Sequence, residues 1–167
     1  GAGGRIEARF LGAPVSLSVP DLEQVGGEPV PPHVLAILVY HLAVSDGTPP
    51  LGDWTTFTEL PEGRFYVQAY RGYTGESLIR RIGDDPEVVR RAARALGGRA
   101  VDLPGDVTVA FELFPRVPVA FVYWMADEEF GARADFLFDV TAGRHLPTDC
   151  IAVACSWITG RLVAAAG

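Results

Sequence analysis

The sequence predicts an α+β fold: a single domain with an antiparallel sheet and four to five helices. Two observations carry this. Runs that alternate apolar and polar residues occur near both ends of the chain, with helical runs gathered between them. The resulting order of strands, helices, strands and a last helix lacks the regular strand-helix alternation of a doubly wound sheet. A chain of 167 residues, 49% hydrophobic, is the size of one domain with a full core and is too apolar to be disordered.

The elements follow in order. From Arg5 to Val19, Ile6, Ala8, Phe10, Val15, Leu17 and Val19 alternate around Gly12-Ala13, the pattern of an opening β-hairpin. After the loop DLEQVGGEPV, Pro31 and Pro32 stand where a helix tolerates proline, and HVLAILVYHLAVS follows. Its Leu35, Leu38, Val39 and Leu42 form a broad stripe, while Ala36, Ile37, Ala43 and Val44 leave little polar face. A helix buried on most sides is expected. DGTPPLGDW is a loop leading to a short strand, Trp54 to Thr58. A helix then starts near Arg64, breaks near Gly72 or Gly75, and resumes through Leu78 and Ile79. In the next one Asp84 and Asp85 cap, Pro86 sits in the first turn, Val88, Ala92 and Leu96 share a side, and Gly97 terminates. Val107 to Phe114 and Val119 to Met125 read as strands and Asp135 to Val140 as a third strand or an extended segment, with a turn at Asp127 to Gly131 between the last two. Pro147, Thr148 and Asp149 open a final helix that ends near Val163.

Charge and composition exclude several functions. A net charge of −7 argues against general nucleic-acid binding, which needs a basic face. The arginines are unevenly spread, with eight from Arg64 to Arg99 against four acids, and six against seventeen elsewhere. The chain contains no lysine, so it has no Schiff-base or phosphate-loop lysine. Cys150 and Cys155, five apart on one helix, lie more than about 7 Å from each other and cannot bridge. They are expected to be reduced, as in the cytoplasm, and two thiols cannot supply a four-thiolate cluster. The apolar runs stop short of the ~20 residues of a bilayer span, and GAGGRIEARF has no apolar signal core, so neither a membrane partner nor a leader is expected. No Gly-x-Ser-x-Gly, His-Glu-x-x-His or Gly-x-Gly-x-x-Gly occurs.

Three groups of residues are candidates for chemistry. Arg64, Tyr66, Tyr70, Arg71 and Tyr73, with Trp54 ahead and Trp124 later, combine guanidinium forks with aromatic faces. That pairing suits a planar anion or an acidic protein partner, although several of these rings also belong in a core. His145 and Asp149, four apart at the start of the last helix, have the spacing of an acid-base pair, while a dipole-complementing Asp and a histidine bonded to backbone explain the same residues structurally. Asp127, Glu128 and Glu129, with Asp135 and Asp139 nearby, have the charge to gather around a hard cation, but three adjacent acids read as a solvated turn and not as a metal site, and His41 reads as a residue at the edge of the core.

Three runs, DGTPPLGDWTTFTELPEGRFYVQAY, PRVPVAFVYWMADEEF and FDVTAGRHLPTDCIAV, taken in that order, resemble the prokaryotic domain of unknown function family 3786. The likeness extends from about Phe10 to Leu162. Members occur mainly in anaerobic bacteria and archaea, and some are fused to a four-cysteine iron-sulphur module of the kind found in corrinoid one-carbon enzymes. The resemblance therefore implies a ligand-binding or accessory domain in anaerobic cofactor (corrinoid or tetrapyrrole) or one-carbon metabolism. This chain lacks the cysteine module, and it has Trp124-Met125 where relatives often carry Trp-Glu. The sequence itself names no cofactor. The expected site is a hollow between the Trp54 to Tyr73 and Asp127 to Asp149 segments. A small enzyme using His145 and Asp149, and an oligomeric scaffold or interaction module, are the alternatives.

Overall fold

The computed structural model describes residues 3–167; Gly1 and Ala2, the start of the stretch read for a leader, lie outside the described residues. The fold is α+β, and its strands form two antiparallel sheets where one was expected. In the first sheet β1 (Gly4–Phe10) and β2 (Ala13–Val19) make the expected hairpin, and β3 (Gln24–Gly27) joins β2. The second sheet has five strands in the order β4, β8, β7, β6, β5. These are β4 (Trp54–Thr56), β5 (Arg99–Ala100), β6 (Val107–Phe114), β7 (Val117–Trp124) and β8 (Arg133–Asp139). The strand expected from Trp54 to Thr58 stops at Thr56, where Phe57–Glu59 winds into a 3-10 turn.

The helices are α1 (Pro32–Val44), α2 (Gly63–Tyr73), α3 (Gly75–Ile82), α4 (Pro86–Ala95) and α5 (Thr148–Ala166). Asp85 is the N-cap of α4, its carboxylate accepting from the Glu87 and Val88 amides at 3.0 and 3.1 Å. The buried side of α4 is Val89, Ala92 and Ala93, turned by one position from the Val88-Ala92-Leu96 line. The break at Gly75 has a steric cause. A Cβ there would run into the Ala134 carbonyl oxygen of β8, so only glycine lets α3 begin against that strand.

Helix α5 occupies the centre. Its 19 residues are long and apolar enough by length and composition to cross a membrane, where every apolar run was expected to stop short of a span. Ile151, Ala154, Cys155, Ile158 and Leu162 are buried in the same core as Val109, Phe111, Val119, Phe121, Phe136 and Phe138 of the large sheet. Both cysteines are free. Phe10 ties the small sheet to this core by packing on Phe114 and Trp157, with ring centroids 5.4 and 4.9 Å away.

Helix α1 departs from its expectation. It buries Val34, Ile37, Leu38 and His41 and leaves Tyr40, Leu42 and Val44 exposed. An apolar composition on all sides carries no periodic signal of which face turns inward.

Candidate functional site

The β7-β8 hairpin and the α2-α3 corner together build the main cleft. Cross-strand neighbours in an antiparallel pair project to the same face, and Trp124 lies opposite Arg133. The Arg133 guanidinium accordingly sits over the Trp124 ring, 4.9 Å from its centroid. Facing them, Arg71 lies in the last turn of α2, and Glu76, Ile79 and Arg80 run along α3, which Gly75 holds against β8. Between these walls is a cleft of about 690 Å³ that also touches Ala132, Ala134 and Asp135. The volume falls within the ~300–1,000 Å³ of small-molecule sites.

Three arginines and two carboxyl groups line this cleft. Arg80 is occupied, 3.8 Å from Glu76 and donating to the Gly72 carbonyl at 2.9 Å. Neither Arg71 nor Arg133 makes a salt bridge among the described residues, so their forks stay available for an anion. Asp135 stands at the inner end, its Oδ1 accepting from the Phe136 amide at 2.8 Å and the Tyr70 hydroxyl at 3.4 Å. Burial pushes its carboxyl above the ordinary carboxylate range, against the opposing pull of the Phe136 amide, Arg71 and Tyr70.

The family described as Domain of unknown function (DUF3786) matches residues 1–161. The chain belongs to that family. No curated protein and no solved structure matches it.

Within this DUF3786 domain the residues expected to share one hollow are divided. Arg71 and Trp124 meet in the main cleft. Tyr66 and Asp149 meet in a separate hollow of about 330 Å³, with Pro61, Glu62, Pro147 and Thr148. Tyr70 is core: buried, stacked on Phe57 at 3.8 Å, and touching the cleft's chemistry only through its bond to Asp135. Tyr73 is partly exposed with its ring edge-on to Tyr70, outside the cleft lining. Arg64 is at the surface, 3.3 Å from Glu59, and Trp54 lies half-buried on β4 opposite Asp139.

His145 and Asp149 do not pair. His145 is fully buried, with Nδ1 2.7 Å from the Ser45 hydroxyl, while exposed Asp149 accepts the Cys150 amide at 2.8 Å. The 3-10 turn Ala142–Arg144 directs the histidine inward before α5 begins, which separates the two side chains despite their spacing. On the acidic turn, Asp127 accepts from the Glu129 and Phe130 amides at 2.8 and 2.7 Å, and those bonds hold its carboxyl below the usual range. No cluster of three or more metal-ligating side chains occurs among the described residues.

Arg80 and Arg133 were not singled out from the sequence, and Asp135 was named only as a neighbour of the acidic turn. A signal for Arg133 was present, because the strands on either side of the Asp127 turn set a register that places it opposite Trp124. Asp135 had no such signal, since Tyr70 is 65 residues away.

Proposed function

We propose that this is a ligand-binding or accessory domain whose cleft between α3 and the β7-β8 hairpin takes an anionic, partly planar molecule of the tetrapyrrole or nucleotide-like kind. The observation that carries the reading is the stack of Arg133 on Trp124 at the edge of a cleft whose other wall presents Arg71. A flat ring system packs against such a surface, and its acidic groups meet guanidinium forks. The family resemblance supports a setting in anaerobic cofactor or one-carbon metabolism in the cytoplasm, and two free thiols suit a reducing compartment.

Titration with a porphyrin dicarboxylate and with a nucleoside triphosphate, followed by calorimetry, tests this. Saturable binding is expected, weakened about tenfold by Arg133→Ala and by Arg71→Ala, the loss of one charge-assisted contact in each case. Absence of saturation with both probes, or variants that bind as tightly as the unmutated chain, refutes the reading.

An interaction module is the second reading, favoured by the exposed Tyr40, Leu42 and Val44 of α1. Light scattering after size exclusion, comparing the chain with its Tyr40→Glu, Val44→Glu variant, tests it through the oligomeric state.

A further inference from the structure

A second cavity lies away from the cleft, between α1, β1 and the β6-β7 turn. His41 is 6% exposed and lies flat on Phe114, with centroids 4.6 Å apart and planes 11° from parallel. Its Nδ1 is 3.2 Å from the His145 carbonyl oxygen. A carbonyl only accepts, so Nδ1 carries the proton and Nε2 is a bare lone pair. Burial holds the ring's pKa below the ordinary histidine value, opposed by the bond to the His145 carbonyl and aided by the His145 ring, so the imidazole is neutral at pH 7. Among the described residues His41 Nε2 has no hydrogen-bond partner, and the residue lines a cavity of about 260 Å³.

Ser45 lines the same cavity, and its hydroxyl is the partner of His145 Nδ1 at 2.7 Å. His145 Nε2 is enclosed without a partner. If serine donated, that enclosed nitrogen would carry a proton with nothing to accept it, and orphaned N–H donors are rarer than orphaned acceptors. His145 Nδ1–H therefore donates to Ser45 Oγ, which frees the serine hydrogen for the cavity. Arg9 and Arg116 complete the donors. Arg116 sits in the β6-β7 turn at φ 70° and spends one N–H on the Gly47 carbonyl. The carboxylate in the lining, Glu7, accepts the Ser16 hydroxyl at 2.6 Å, so two guanidinium groups outweigh it.

We propose that this cavity is a second binding site, for a small oxyanion that keeps one O–H donor. The ligand's O–H donates to His41 Nε2 while its charged oxygens accept from Arg9, Arg116 and Ser45. Hydrogenphosphate and 2-hydroxycarboxylates share this chemistry. The site is independent of the planar-anion cleft and too small for that ligand.

The full chain at pH 7.5 is titrated with phosphate, sulfate, glycolate and acetate at matched ionic strength, followed by amide chemical shifts. Sulfate and acetate bring the charge without the O–H. A preference of about tenfold or more for phosphate over sulfate, or for glycolate over acetate, is expected, and the pair that shows it identifies the ligand class. Equal binding within both pairs, or no saturable shift with any of the four, overturns the proposal. His41→Phe keeps a ring on Phe114 and removes the acceptor, so the preference should fall to within about twofold. Its persistence in a folded variant also overturns the proposal. Imidazole nitrogen shifts of the unmutated chain give a test that needs no variant: His41 must carry its proton on Nδ1, and the opposite tautomer refutes the site.

Discussion

Asp135 shows how one carboxyl group serves both the core and the cleft. Its Oδ1 is committed to the Phe136 amide and the Tyr70 hydroxyl, and burial raises its pKa. A raised folded pKa means that the folded state keeps a proton which the unfolded chain, titrating near 3.9, has already released. Stability should therefore fall as the pH rises from the unfolded value through the folded one. Asparagine offers the same acceptor without the buried charge. Asp135→Asn should raise Tm by a few degrees at pH 7 and leave it unchanged near pH 3, where both states are protonated; thermal scans at the two pH values decide. Asp139 behaves in the opposite way. Burial pushes its carboxyl up, but bonds from the Thr141 hydroxyl and amide and from the Leu51 and Gly52 amides prevail and hold it below the ordinary range. It anchors the loop that enters β4.

At the scale of elements, the cleft depends on α3 starting directly against β8. Gly75→Ala places a methyl group on the Ala134 carbonyl, and α3 must move outward to relieve it. The cost should be about 1–3 kcal/mol in urea unfolding, with weaker binding of the planar probe because Arg80 and Ile79 move with the helix. Elements were legible in the sequence where periodicity was strong. The β1-β2 hairpin, the Asp85-capped α4 and the strands around Val119 and Phe136 all carry clear patterns. The strands β3, with sequence QVGG, and β5, two residues long, were not legible because glycine and brevity leave no alternation to see. The site was legible only in part. Arg71 and Trp124 stood out by residue type, but the partner of His145 is a serine 100 positions away, and no local spacing points to a contact of that range.

For the molecule as a whole, α5 links the parts. It shares a core with both the large sheet and, through Trp157, the small one. Phe10 is the small sheet's anchor in that core, assisted by the Leu11 amide, which donates to the Leu113 carbonyl of β6 at 3.0 Å. Unfolding should therefore be a single transition, with tryptophan fluorescence and far-ultraviolet circular dichroism coincident in urea. Phe10→Ala should lower stability by about 3–5 kcal/mol, as for other buried aromatic truncations. Two separated transitions would show the small sheet to be an independent unit.

The large sheet ends in strands of three and two residues, and α3 closes on the part of β8 that β4 leaves uncovered. A neighbouring chain in search of a backbone template thus finds no long row of free amides and carbonyls there. Strand addition between copies is therefore disfavoured at the large sheet, and the seven-residue β1, the outer strand of the small sheet, is the edge left open to it.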